Sequence, residues 1–256
     1  MIPELYVPTV PWRAPALTEL MRCLAKQTTR APVTFVLDGH TPDEHDQVAY
    51  NASALGLYHR CVEGHGAGSR WRWASRAPAD VLVLSLDDDM LPGPLYVQTT
   101  LAAWGRLGEP FSWCGDVLDG RTYVRVTAAP AFDQRLFNAG AGALCVPAEL
   151  LRGIEDDPAA DRFLGKLGHD EALVSWWLTT HGARLWRPRG AADIREHDLG
   201  HDKRSQWNSH GTRCAPLVAE LERRGWPVVA PVAQDRRDVS PAPSREGRFR
   251  GTLKRG

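Results

Sequence analysis

Three consecutive carboxylates, Asp87-Asp88-Asp89, close the apolar run Val81-Leu82-Val83-Leu84-Ser85-Leu86, and Pro92-Gly93-Pro94 then turns the chain. Adjacent like charges repel, so the triplet needs positive charge beside it. A divalent cation carrying a diphosphate supplies it, because hard cations take carboxylate and phosphate oxygens together. A solvated acidic turn is the other reading of the same residues. Asp38 stands in a similar place, after Val33-Thr34-Phe35-Val36-Leu37 and before Gly39. It either accepts hydrogen bonds from a base or ribose or serves only an Asp-Gly turn. Arg70 and Arg72 follow the segment Gly64-His65-Gly66-Ala67-Gly68. They meet phosphate or cover a helix surface. The glycine segment itself fits neither a dinucleotide-binding GxGxxG nor a P-loop ending in GK[ST].

The second half carries another constellation. Asn138-Ala139-Gly140-Ala141-Gly142-Ala143 runs into the apolar Leu144-Cys145-Val146. Small residues let a ligand approach the backbone closely. Gly168-His169-Asp170-Glu171 opens a helix with Val174, Trp176, Trp177 and Leu178. An acid there can act on a ligand, or only cap the helix and complement its dipole. His197 and His201 follow four residues apart, and a neutral imidazole beside carboxylates can ligate a divalent metal.

These residues need a scaffold, and the chain spells one. Leu5-Tyr6-Val7 reads as a short strand ended by Pro8-Thr9, and Ala16–Gln27 as a helix with Leu17, Leu20, Met21 and Leu24 on one face. The spacing then predicts a strand over Val33–Leu37, a helix over Val48–Leu57, an edge strand over Tyr58–Val62, a helix over Ser69–Ser75 and a strand over Val81–Leu86. Near-continuous apolar strands alternating with helices imply βαβ units and a mostly parallel sheet covered on both faces. In such sheets ligands bind outside the carboxyl ends of the strands, where Asp38 and the triplet fall.

Composition narrows the classes. A chain of 256 residues suits one sizeable α/β domain, with or without an appendage. The formal net charge is zero, so nothing global points to nucleic acid or a membrane surface. No stretch has the length of a transmembrane helix. Met1-Ile2-Pro3-Glu4-Leu5 lacks the pattern of a signal peptide, and five scattered cysteines without CxxC pairs suggest reduced thiols. Both lead to a cytoplasmic expectation. Ten tryptophans are core residues or sugar- and base-stacking surfaces. Residues 235–256 hold seven basic and three acidic residues with few apolar ones, a tail that cannot offset its ordering entropy by burial.

In order and spacing these segments resemble the GT-A glycosyltransferases of the family 2 type. The elements that carry the resemblance are Val7-Pro8-Thr9, Leu24-Ala25-Lys26-Gln27-Thr28, Leu37-Asp38-Gly39, Gly64 to Trp73, Leu86-Asp87-Asp88-Asp89, Asn138–Val146, Gly168-His169-Asp170-Glu171 and His197, over roughly residues 4–205. One departure is His169, where the family has Glu before its catalytic Asp. The resemblance implies a GT-A, Rossmann-like domain over 1–233, with a nucleotide-sugar half in 1–100, an acceptor half in 101–233 and a basic tail from 234.

It also implies a metal-dependent, inverting transfer of sugar from a nucleotide-diphosphate sugar, a UDP-sugar first among donors, to an unidentified hydroxyl acceptor. Pro8, Thr9 and Asp38 would contact the nucleoside and Arg70 the donor. Asp87 or Asp88 would touch ribose or metal, and Asp87, Asp89 and His197 would hold Mn²⁺ or Mg²⁺. Asp170, or else Glu171, would be the base, with Trp176 and Trp177 as an acceptor platform. A nucleotidyltransferase making sugar nucleotides is the alternative enzyme, although Pro8-Thr9-Val10-Pro11-Trp12-Arg13 fits its glycine-rich signature poorly. A non-catalytic sugar- or nucleotide-binding protein would keep the acids without turnover. A nucleic-acid acceptor, suggested by the tail alone, is the weakest alternative.

Overall fold

The apolar strands of the sequence are apolar because both of their faces are covered. The structure, a computed structural model, describes residues 1–66, 68–119, 122–125, 129–136, 138–158, 170–196, 221 and 223–225. Strand β1 (Ile2–Thr9) lies centrally between β2 (Val33–Asp38) and β4 (Val81–Ser85), and β3 (His59–Gly64) forms the edge beyond β2. All three of these pairings are parallel. Side chains alternate across the strands. Leu5, Val7, Leu82 and Leu84 point to one cluster, which holds Leu17, Leu20, Met21 and Leu24 of α1 (Ala14–Ala25), Val48 of α2 (Pro42–Ala54) and Val97 of α4 (Tyr96–Leu107). Tyr6, Val81 and Val83 point to the other, with Trp71 of α3 (Ser69–Ser75) and Leu173, Val174 and Trp177 of α5 (Asp170–Thr180). The result is three layers, helices on both faces of one sheet.

Beyond β4 the sheet departs from the expected parallel pattern. Strand β11 (Leu144–Pro147) joins β4 antiparallel, and β6 (Phe111–Ser112) joins β11 antiparallel. Then β12 (Trp186–Arg187) runs parallel to β6, and β9 (Gln134–Arg135) closes the edge antiparallel. The eight-strand order is β3-β2-β1-β4-β11-β6-β12-β9. The half built from βαβ crossovers is parallel; the half built from short returns is mixed. Small sheets flank it: β7 (Gly115–Asp119) with β8 (Thr122–Arg125) and β10 (Asn138–Ala139), and β5 (Met90–Pro92) with β13 (Ile194–Glu196).

Helix α3 spans the predicted residues, and α1 buries the predicted face. Helix α2 starts six residues before the predicted Val48. Thr41 caps it, with its hydroxyl accepting from Glu44 N and the Glu44 carboxylate accepting from Thr41 N, and Pro42 fills the first turn. That capping box overrode the weak apolar spacing of the early turns. Helix α4 ends at Gly108, whose φ of +63° needs no Cβ. No helix among the described residues is long and apolar enough to cross a membrane. The 234–256 tail lies outside the described residues.

The triplet's exit is fixed from a distance. Gln27, just past α1, is buried; its amide donates to Gly93 O at 2.7 Å and Cys23 O at 3.3 Å, and its carbonyl accepts from Val97 N at 3.1 Å. Thr28 N and Oγ1 both donate to Pro94 O. One glutamine therefore ties α1 to the turn after the triplet and supplies a partner to an orphan N–H at the start of α4. Gln27→Ala is expected to cost about 2–4 kcal/mol in urea unfolding, since buried groups lose their partners. Gln27→Glu keeps the acceptor but loses both donated bonds, and is expected to be destabilised as well; wild-type stability in both would remove this role.

Candidate functional site at the sheet switch point

From β1 the chain winds outward to β2 on one side and to β4 on the other, so the strand order reverses between β1 and β4. Open α/β sheets form a crevice at that point, outside the strand ends. Tyr6 pairs with Ser85, and Leu86 N donates to Tyr6 O at 3.1 Å, which carries Asp87–Asp89 alongside Pro8 and Thr9. Asp87 N donates to Gly142 O and Met90 N to Asp87 O, folding the triplet into a turn that splays its side chains.

Two arginines meet them. Arg70 of α3, with a side chain only 3% exposed, places Nη1 2.6 Å from Asp87 Oδ1 and 2.9 Å from Ser85 Oγ, and Nη2 3.2 Å from Asp170 Oδ2. Ala141 O lies 3.4 Å from the same Nη1. The guanidinium is kept charged because Asp87 and Asp170 outweigh its desolvation. Arg13, in the 3₁₀ turn before α1, uses a single nitrogen: Nη1 lies 2.5 Å from Asp88 Oδ1 and 3.0 Å from Asp89 Oδ2. The positive charge demanded by the triplet is thus present in the chain itself.

The acids differ in environment. Asp88 is buried, and desolvation pushes its carboxyl up to about 6 against the opposing pull of Arg13. The buried Thr9 hydroxyl also helps to hold Asp88 ionised, although it makes no hydrogen bond of ordinary geometry. Asp87 and Asp89 keep about a third of their side chains exposed, at 32% and 34%. Asp170 heads α5 and is buried; its Oδ2 also accepts from the Trp71 indole N–H at 2.9 Å. Burial raises its pKa, Arg70 and Trp71 oppose that, and Asp87 adds to it. Capping is therefore not its sole contact. Glu171 accepts from Ala141 N at 3.4 Å.

The expected residues converge unevenly. Asp87, Arg70 and Asp170 form one cluster, with Glu171 beside it on Ala141 N; Asp88 and Asp89 form a second on Arg13, with Thr9 beside Asp88. Pro8 lies in β1 opposite Val36, and Asp38 ends β2 half-buried, one strand away on the same edge. His169, His197 and His201 lie outside the described residues. Among the described residues no three His, Cys, Asp or Glu side chains are placed to hold a metal. The acceptor platform expected of Trp176 and Trp177 is not formed: both are buried in the core, Trp177 stacking on His181 at 4.0 Å and donating to Leu150 O. Nor are the glycines of 138–146 reserved for a ligand. A Cβ on Gly142 would lie 2.3 Å from Asp87 Oδ2, and one on Gly140 2.4 Å from Cys114 Sγ. Arg13 and the indole of Trp71 are the members that sequence reasoning missed. Arg13's only signal was a lone cation just after the first strand.

No protein-family model matches the chain, and no curated protein matches it in sequence. Solved structures do match in fold. TarS residues 1–349 from S. aureus in complex with UDP-GlcNAc superposes with a TM-score of 0.55 at 16% identity, over 76% of this chain and 58% of that one. The same TarS segment alone gives 0.54 at 16%, over 77% and 60%, and with UDP 0.51 at 17%, over 76% and 60%. This chain spans about three fifths of those chains. The expected GT-A architecture is the fold of these structures.

The inward turn of Asp88 has a measurable consequence. A carboxyl whose pKa is raised on folding binds more protons folded than unfolded, so stability falls as pH rises through the window from about 4 to about 6. Asp88→Asn lacks this titration. In metal-free buffer it is expected to gain up to about 3 kcal/mol relative to wild type between pH 4 and 6.5, at about 1.4 kcal/mol per pKa unit. A difference in unfolding free energy that does not change with pH would show that Asp88 is not desolvated.

Proposed function

We propose that this chain transfers a sugar from a nucleotide-diphosphate sugar to an acceptor hydroxyl, with inversion at the anomeric carbon. The observation that supports this most is the buried Arg70 bridge that joins Asp87 of the triplet, at the switch point, to Asp170 at the head of α5. One buried guanidinium stands between Asp87 and the base. That matched TarS structures hold UDP-GlcNAc or UDP supports a UDP-sugar donor. Pro8, Thr9 and Asp38 line the nucleoside end. Asp87, the more exposed of the two candidates for ribose, takes that contact or the metal, and Asp88 stays with Arg13.

A hard-cation site needs accessible carboxylate oxygens, and Asp87 and Asp89 have them. Mg²⁺ takes one or two protein carboxylates together with phosphate oxygens, so these two acids suit Mg²⁺ or Mn²⁺, with His197 as a further ligand. Such an ion, when bound, offsets charge on the leaving diphosphate as a Lewis acid. Asp170 takes the proton of the acceptor hydroxyl. The freed oxygen attacks the anomeric carbon as the bond to the diphosphate breaks on the opposite face. Burial raises the proton affinity of Asp170, which suits a base, while Arg70 holds it ionised and aimed. Arg70 is a positioning residue in this scheme, and Glu171 is the alternative base.

Thermal stabilisation by UDP-, GDP- and TDP-sugars with Mn²⁺ is expected to identify the donor, since a ligand that binds the folded state raises its apparent stability. EDTA is expected to remove the shift, and Asp89→Asn to reproduce that loss. Asp170→Asn keeps the shape and an acceptor for the Trp71 indole. It is expected to retain donor affinity and lose nucleoside diphosphate release by about 10²-fold or more. Near wild-type release in Asp170→Asn with a loss in Glu171→Gln moves the base by one residue. Full release in both, or no stabilisation by any sugar nucleotide, overturns the reading.

A further inference from the structure

We propose that Arg13 is an exchangeable counter-ion: it neutralises Asp88 and Asp89 in the ligand-free chain and passes to the donor's diphosphate when a divalent cation takes Asp89. This rests on the donor site proposed above. The two arginines of the site are built differently. Arg70 is buried and spends both terminal nitrogens on fixed partners from three elements. Arg13 is 24% exposed and spends only Nη1; its Nε and Nη2 make no hydrogen bond among the described residues. A guanidinium offers five N–H donors in a planar fork that matches phosphate oxygens. Three or more of these donors are therefore uncommitted at the mouth of the crevice.

Exposure grades across the contact. Asp88 is 4% exposed, Arg13 24% and Asp89 34%. Arg13 is thus anchored on its buried side and replaceable on its open side. Asp89 Oδ2 already accepts from Arg13, so a cation binding there must break that contact or share its charge. The displaced nitrogen remains tethered by Asp88, next to where the cation brings phosphate oxygens. Arg13 should therefore oppose cation binding in the empty site and favour nucleotide binding in the loaded one. Those are effects of opposite sign from one residue.

The test measures both on the full chain, with Mn²⁺ alone by electron paramagnetic resonance and UDP by calorimetry at saturating Mn²⁺. Arg13→Gln is expected to bind Mn²⁺ about fivefold more tightly, the scale of a partly exposed ion pair. It is expected to bind UDP about tenfold more weakly, the scale of a charged hydrogen bond. Because Arg13→Gln leaves Asp88 buried without its cation, Arg13→Gln/Asp88→Asn is compared with Asp88→Asn in the same way. Mn²⁺ affinity that is unchanged or weaker, or UDP affinity that is unchanged, overturns the exchange and leaves the donor site standing. If wild type and variants alike bind no Mn²⁺, with or without UDP, the metal-dependent donor site itself fails and the exchange fails with it.

Discussion

The site depends on one buried cation. Arg70 stands between Asp87 and Asp170, which are far apart in sequence, and holds the end of a strand against the start of a helix. A guanidinium removed from water is tolerated only when paired and hydrogen-bonded; removing one partner of a buried pair costs about 3–5 kcal/mol. Here Ser85 Oγ and the Ala141 carbonyl accept from Nη1, the same nitrogen that meets Asp87. The Trp71 indole donates to Asp170 from the residue next to Arg70, so one turn of α3 places both a charge and a neutral donor on the same carboxylate. Much else follows from making room for this cluster. Gly142 lacks a Cβ where Asp87 would meet it, and α5 starts where Asp170 can reach Arg70.

Charge balance explains why the cluster has two cations and not one. Among the described residues Arg13 pairs with Asp88 and Asp89, and Arg70 with Asp87 and Asp170, so each cation is shared by two acids. Burial raises the proton affinity of the two acids shielded from water, Asp88 and Asp170, and Arg13 and Arg70 oppose that rise. Asp87 and Asp89 lie at the exposed side of the cluster. A diphosphate entering such a field meets repulsion unless positive charge accompanies it, which is the electrostatic case for a cation in the proposed reaction. The arginines divide the work by depth. Arg70 fixes geometry, and Arg13 meets the solvent-facing charge.

How much of this was readable in advance follows from what sequence spacing encodes. The apolar runs of β2 and β4 and the stripe of α1 report burial directly, because each side chain's face is set by its own element's period. The carboxylates at the strand ends were legible for the same reason: parallel strands put their carboxyl ends on one edge. The antiparallel insertion of β11 was not, since four buried residues read alike in either direction. Nor was the destination of Arg13. Its partners lie 75 and 76 residues away, and only the reversal of strand order between β1 and β4 brings the turn after one strand against the acids after the other. Trp176 and Trp177 failed for the complementary reason. Sequence places them beside a candidate base, but a helix held against the sheet along most of its surface leaves no open side for a platform. Adjacency along the chain marks where a charge must be answered; the topology decides which residue answers it.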